Sequence, residues 1–308
     1  MTIEELNDTV DSGEIDEFIR VCEARQRKAL SKIADRITER GGVRLVLLAG
    51  GSSAGKTTTA KRLCTQLRVN GAVALLLSTD DYFVGDARNP RDENGELDYE
   101  TIECVDMPRL AADLNALFRQ EVIHPRRFDF QKHEGYDSET TLALPENGIV
   151  VLEGIHALNP RLTAEVDDAC KFRLFIEPMT QLEFFATTKV PVTDARLLRR
   201  VVRDNQFRKM DPQTTFDMWP KVLAGETKWI NPFRGNADAE FDSALPYEMA
   251  VLKPYAQGLL EKVLLKKPDE KKAFALLELL KAVRATDPTK VPGDSILRET
   301  IGGSQLDY

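Results

Sequence analysis

The sequence is short of the features that mark the special classes of protein. It has only four cysteines, Cys22, Cys64, Cys104 and Cys170, with no CxxC pair among them. It therefore encodes neither a disulfide framework nor a zinc knuckle, and buried thiols in a reducing compartment are expected. It lacks an excess of positive charge: 42 Lys and Arg against 50 Asp and Glu leave a formal net charge of -8. That argues against a nucleic-acid partner, because neutralising phosphates requires a basic face. No apolar run approaches the ~20 residues of a membrane span, and the opening MTIEELNDTV is too acidic for a signal peptide. No membrane partner is expected, and the expected location is the cytoplasm. Internal repeats and low-complexity tracts are also missing. With 42% apolar residues over 308 positions, what is present suffices for one sizeable core with appendages.

Apolar patterning divides the chain into three parts. Residues 1–41 carry Ile15, Phe18, Ile19, Cys22, Leu30, Ile33 and Ile37 at helical spacing among charges, which predicts an amphipathic helical arm ending at Gly41-Gly42. Residues 42–265 alternate short apolar runs with helical patterns. Strands are predicted at 43–50, 72–77, 148–155, 172–178 and 241–248, with helices at 57–69, 108–118, 194–208 and 253–265. The polar stretch 85–99 reads as a loop. Alternation of this kind predicts an α/β fold with a mostly parallel sheet and helices on both faces. Residues 266–308 contain a Leu-rich helix at 274–283 and form a C-terminal appendage for packing or for homo-oligomer contact.

Gly50-Gly51-Ser52-Ser53-Ala54-Gly55-Lys56-Thr57 fits the GxxxxGK[ST] pattern between a predicted strand and a predicted helix, with Thr58 following. The spacing has a physical reason. Glycines let backbone N–H groups converge on phosphates, the helix N-terminus adds partial positive charge, Lys56 reaches the β- and γ-phosphates, and Thr57 ligates Mg²⁺. ATP and Mg²⁺ are the expected cofactors. In IVVLEG, Glu153 stands at the end of an apolar strand, where a second metal-facing acid belongs. In LSTDDYF, Asp80 also follows a strand, at the sheet edge where ligands gather, and is the candidate general base toward an acceptor hydroxyl. Its neighbour Asp81 is read as a cap on the next element.

Taken together, GGSSAGKTTTAKRL, LSTDDYF, RFDFQKH, IVVLEGIHAL and DARLLRRVVRD resemble the uridine kinase and phosphoribulokinase family of P-loop kinases over residues 43–250. The resemblance implies ATP-dependent transfer to a hydroxyl of a small metabolite, with Thr57, Asp80 and Glu153 around Mg²⁺. Similarity is greater to uridine kinases, which implies a nucleoside acceptor, with phosphorylation of another sugar, polyol or sugar phosphate as the alternative. It assigns Asp98 to the ribose diol, and Tyr82, Phe128, Phe130 and His133 to substrate. Two departures bear on the base. Phe128 replaces a tyrosine and cannot donate a phenolic hydrogen bond, and Thr214, beside Gln213, stands where uridine kinases carry a glutamine.

Arg196, Arg199, Arg200 and Arg203 share one broad helical face. On an acidic chain beside a nucleotide loop they are expected to form a lid that clamps phosphate and excludes water, with Arg199 and Arg203 on phosphate and Arg196 on substrate. A GTPase would need an Asn/Thr-Lys-x-Asp element, and Thr188-Lys189-Val190-Pro191 ends in proline. A non-catalytic ATP-binding module is the remaining alternative.

Overall fold

The computed structural model describes residues 1–129, 132–180, 182–184 and 188–307. Five parallel strands, β1 (Leu45–Ala49), β2 (Ala74–Ser78), β5 (Ile149–Glu153), β6 (Lys171–Glu177) and β9 (Ala239–Asp242), form a sheet in the order β2-β5-β1-β6-β9. Every residue of β1 and β5 is buried, as expected of central strands covered on both faces. Side-chain alternation sorts β1 between two cores. Val46 and Leu48 pack with Leu63 of α3 (Lys56–Val69) and with Leu30 and Ile33 of α2 (Ile15–Arg40). Leu45, Leu47 and Ala49 pack on the opposite face with Leu110 and Leu114 of α4 (Met107–Phe118). The sheet is thus sandwiched between helices, and the α/β P-loop architecture expected of the sequence is present.

A third core is mainly helical. Leu197 and Val201 of α5 (Val192–Arg208), Trp219 of α6 (Pro212–Trp229), Val251 of α7 (Glu248–Lys266) and Leu276 of α8 (Lys271–Ala282) meet Leu6 of α1 (Ile3–Asp11) and Ile19 of α2. The 26-residue α2 is long enough, at about 39 Å, to join this core to the sheet: Ile15, Ile19 and Cys22 belong to one and Leu30, Ile33 and Ile37 to the other. The amphipathic segment 1–41 is therefore two helices embedded in both cores. Two antiparallel hairpins flank the sheet, β3 (Arg126–Asp129) with β4 (Glu134–Asp137) and β7 (Glu183–Phe184) with β8 (Thr188–Lys189). The predicted last strand is shorter than expected, because α7 already begins at Glu248. The C-terminal stretch folds back over α5 through a single turn of helix, α9 (Arg298–Ile301), whose Ile301 carbonyl accepts from Gln206.

At the joint between α2 and α7 the hydroxyl of Tyr247 donates to Glu23 Oε1 at 2.7 Å, with both residues fully buried and Glu23 Oε2 left without a partner. Tyr247→Phe strands a buried acid and is expected to cost about 1–3 kcal/mol. Urea denaturation reads this as a lower midpoint with an unchanged slope; an unchanged midpoint would show that the bond does not support the joint.

Candidate functional site

The loop after β1 adopts the geometry its glycines permit. Ser53 (φ 59°) and Gly55 (φ 88°) both have left-handed backbone, so successive N–H groups turn toward one concavity, and α3 starts directly after it at Lys56. A Cβ on Gly50 would collide with the Ile176 carbonyl, and one on Gly51 with the Arg196 guanidinium. Ser53 Oγ is buried with no hydrogen-bond partner, as fits a group awaiting a ligand. The Lys56 ammonium donates back to the Gly51 carbonyl at 3.1 Å.

Glu153 is held at the same sheet edge by register: it is aligned with Leu48 of β1 on one side and Ser78 of β2 on the other. Its Oε1 accepts from Ser78 Oγ at 2.7 Å and from Thr57 Oγ1 at 3.3 Å. The next residue, Gly154 (φ 156°), has to be glycine, because a Cβ there would run into Thr79. That close approach brings in the turn Thr79–Tyr82 and with it Asp80. Burial, reinforced by the charge of Asp80, pushes the Glu153 carboxyl up to about 7, while Lys56 and Ser78 act to lower it. A hydroxyl and two mutually repelling carboxylates at the C-terminal ends of adjacent strands suit a hard divalent cation, whose charge would favour ionised Glu153. No cluster of three or more His, Cys, Asp or Glu that could hold a metal exists among the described residues, so Thr57, Asp80 and Glu153 would form a mixed set completed by water and phosphate.

On the far side of Asp80 lie the hairpin β3–β4 and the loop 85–99. Asp81 ties down the hairpin: it accepts from Arg127 at 2.9 Å and from the Phe128 backbone at 3.4 Å. Phe128 is buried with its ring edge-on to Phe83, 5.6 Å between centroids. Tyr82 is fully buried, its hydroxyl donating to Asp113 at 2.9 Å, so it supports the turn from the core side. The Asp98 carboxylate accepts from the Glu100 backbone. His133 and Tyr99 meet at 3.1 Å, and Tyr99 donates to Asp86. Phe130 lies outside the described residues.

The arginines of α5 are deeply placed. Arg199 is 1% exposed and bonded to Glu248 and to the carbonyls of Ser243 and Ser53. Arg196 pairs with Glu226 of α6 at 2.5 Å, Arg200 donates to Ser52 Oγ at 2.7 Å, and Arg203 pairs with Asp204 at 2.7 Å. Arg196, Arg199 and Arg200 thus each touch the loop between Gly51 and Ser53, and Arg196 faces the loop rather than the hairpin.

Residues 45–246 match the phosphoribulokinase / uridine kinase family. The chain belongs to that family. Among curated relatives, a uridine kinase of Lactobacillus helveticus is 27% identical over 195 residues, 63% of this chain and 83% of the relative. One from Deinococcus deserti is 27% identical over 192 residues, 62% of this chain and 83% of the relative. A solved structure described as a possible uridine kinase from Bacillus stearothermophilus aligns over 71% of this chain and 100% of its own, with 21% identity and a TM-score of 0.42. As a family member the chain is a phosphotransferase with a hydroxyl acceptor.

Reading the sequence assigned no role to three buried residues near the loop, Glu226, Glu100 and His156. Glu226 and Glu100 come from segments with no pattern, and His156 follows Glu153 on the strand's exit. Burial pushes the Glu100 carboxyl up to about 7 and the His156 imidazole down to about 4. The Glu153 carboxyl, raised from the usual carboxylate range to about 7, favours folding fully below about pH 4.5 and loses that contribution as pH rises through 7, since the unfolded chain gives up its proton first. Without Mg²⁺, Glu153→Gln should therefore flatten the fall in stability between pH 4.5 and 7 in urea titrations; a slope identical to that of the parent would mean the carboxyl is not raised.

Proposed function

We propose that the chain is a Mg²⁺-ATP-dependent kinase of a nucleoside-like acceptor, phosphorylating a sugar hydroxyl. What carries this reading is the convergence of three elements on one edge of the sheet: the loop Gly50–Thr57 after β1, Asp80 after β2 and Glu153 at the end of β5. In that geometry Gly50 to Gly55 receive the phosphates with Thr58 behind them, and Lys56 neutralises charge on the transferring group. Thr57 and Glu153 hold the metal with Asp80, which also faces the acceptor. When bound, Mg²⁺ would supply charge neutralisation for the transferring phosphate. Asp80 takes the proton from the acceptor hydroxyl as the acceptor oxygen bonds to the γ-phosphorus and the bond from that phosphorus to ADP breaks. Arg199 and Arg203 on α5 screen the phosphates, and Arg196 joins them beside Gly51.

Support for an uncharged acceptor comes from the acids near Asp80. Asp86 and Asp98 lie on the loop, Asp80 and Asp98 both act on the Cys104 thiol, and Arg127 of the hairpin is already engaged by Asp81. Such a lining suits hydroxyls, with Asp98 for a ribose diol and His133 beside it, and disfavours a sugar phosphate. One observation favours a second reading, a kinase of another sugar or polyol: Phe128, where uridine kinases have a tyrosine, is buried against Phe83. Polar groups that read a base give large discrimination, and this position supplies none.

ADP release with Mg²⁺-ATP, measured without acceptor and with uridine, cytidine, other nucleosides, ribose, inositol or pentose phosphates, tests the reading. Stimulation by a nucleoside is expected; stimulation by a polyol or sugar phosphate alone replaces it with the second reading. Asp80→Asn should keep the fold and lose roughly 10²–10⁴-fold in kcat, and near-normal turnover would remove Asp80 from the base role. Lys56→Ala is expected to abolish transfer, and an active variant would sink the assignment of the loop.

A further inference from the structure

The concavity of the phosphate loop contains an anion from the chain itself. Glu226, near the end of α6, is 6% exposed, and its Oε1 accepts from the Ser52 backbone N–H at 3.1 Å and from Arg196 Nη2 at 2.5 Å. It lies so close to the loop that a Cβ on Gly51 would collide with it. These are the donors that the kinase reading assigns to phosphate: a loop N–H and a guanidinium on the covering helix. A carboxylate is the side chain that best imitates a phosphate oxygen toward such donors. The surrounding groups are arranged to match. Lys56 is turned onto the Gly51 carbonyl, and Arg200 is bonded to Ser52 Oγ. A phosphate oxygen can take the Ser52 N–H and the Arg196 guanidinium only once Glu226 Oε1 has left them.

We infer that Glu226 is an internal competitor for the phosphate site, which holds the loop closed and its arginine paired until a nucleoside triphosphate displaces it. The inference rests on the loop being a nucleotide site. Displacement exchanges one anion for another at Arg196, so no buried guanidinium is stranded. It also links α6 to nucleotide binding, because the side chain that leaves the loop belongs to that helix. Trp219 on the same helix has the guanidinium of Arg196 at 5.5 Å and that of Arg200 at 6.0 Å from its ring centroid, so its surroundings change with the exchange.

The experiment is calorimetric titration of the full-length chain with Mg²⁺-ATP and, separately, with inorganic tripolyphosphate, comparing the parent with Glu226→Gln. The amide keeps the volume but lacks the charge. If the carboxylate competes, both ligands bind about tenfold more tightly to the variant, because the closed form no longer subtracts from affinity. Equal or weaker binding by a variant that remains folded overturns the competition and makes Glu226 a packing partner of Arg196. If neither protein binds either ligand, the nucleotide reading itself fails, a result separable from failure of the competition alone. Should Glu226→Gln not fold, Mg²⁺-ATP is titrated into a Trp229→Phe chain, in which Trp219 is the sole tryptophan. A shift in its emission on saturation supports displacement, and calorimetric binding with no shift overturns it.

Discussion

Charge buried beside the loop is the constraint around which the interior is arranged. Arg196, Arg199 and Arg200 are each less than 7% exposed, and a guanidinium that deep is tolerable only with a partner. The partners are drawn from three helices: Glu226 from α6, Glu248 at the start of α7, and Asp204 one turn further along α5. The pairs to Glu226 and Glu248 tie α6 and α7 to the arginine face of α5. Glu248 shows the cost of the arrangement, since burial raises its carboxyl while Arg199 opposes that shift. The arginines therefore do structural work in the closed structure with the same groups the reaction would use.

The same constraint explains why the terminal segments are part of the body. α5 has to be backed by apolar surface for its charged face to sit over the loop, and Leu197, Leu198, Val201 and Val202 provide it by packing into the helical core with α1, α2, α7 and α8. The C-terminal stretch adds contacts on the other side: Ile296 lies against Gly55, and the Glu299 carboxylate accepts from Thr58 Oγ1 at 2.9 Å. Both lie beyond residues 45–246 that match the family, so the C-terminal stretch braces the loop from outside the matched region.

Much of the sheet and its edge chemistry was legible in advance. Apolar runs ending in glycine or an acid mark β1, β2 and β5 because central parallel strands are buried on both faces, and the loop pattern is set by local backbone demands. The rest depends on tertiary context. α6 was not anticipated: Pro212, Pro220 and Gly225 argue against a helix, yet Pro212 sits at its first position, where no N–H is needed, and Asp211 caps it. The short β3–β4 hairpin carries too few residues to show a period. Tyr82 looked available to substrate, but its hydroxyl finds Asp113 thirty-one residues away, which no local pattern encodes. Arg196, Arg199 and Arg200 do lie against residues 51–53 of the loop, whereas Glu226 and Glu248 were invisible as their partners because each lies on another element.

The pairing pattern has a consequence for how phosphoryl transfer is kept from water. In a site whose cations were free before binding, closure would come only after the nucleotide arrived and would have to order side chains at that moment. Here the guanidiniums are already packed, with Arg196 stacked near Trp219 and Arg199 bonded to two backbone carbonyls. The entropic cost of fixing them falls on folding and not on the catalytic cycle. Such preorganisation is what makes fixed dipoles and charges effective toward a developing negative charge. It also means that a partner exchange at Arg196, rather than the ordering of a loose segment, is the step that admits the substrate.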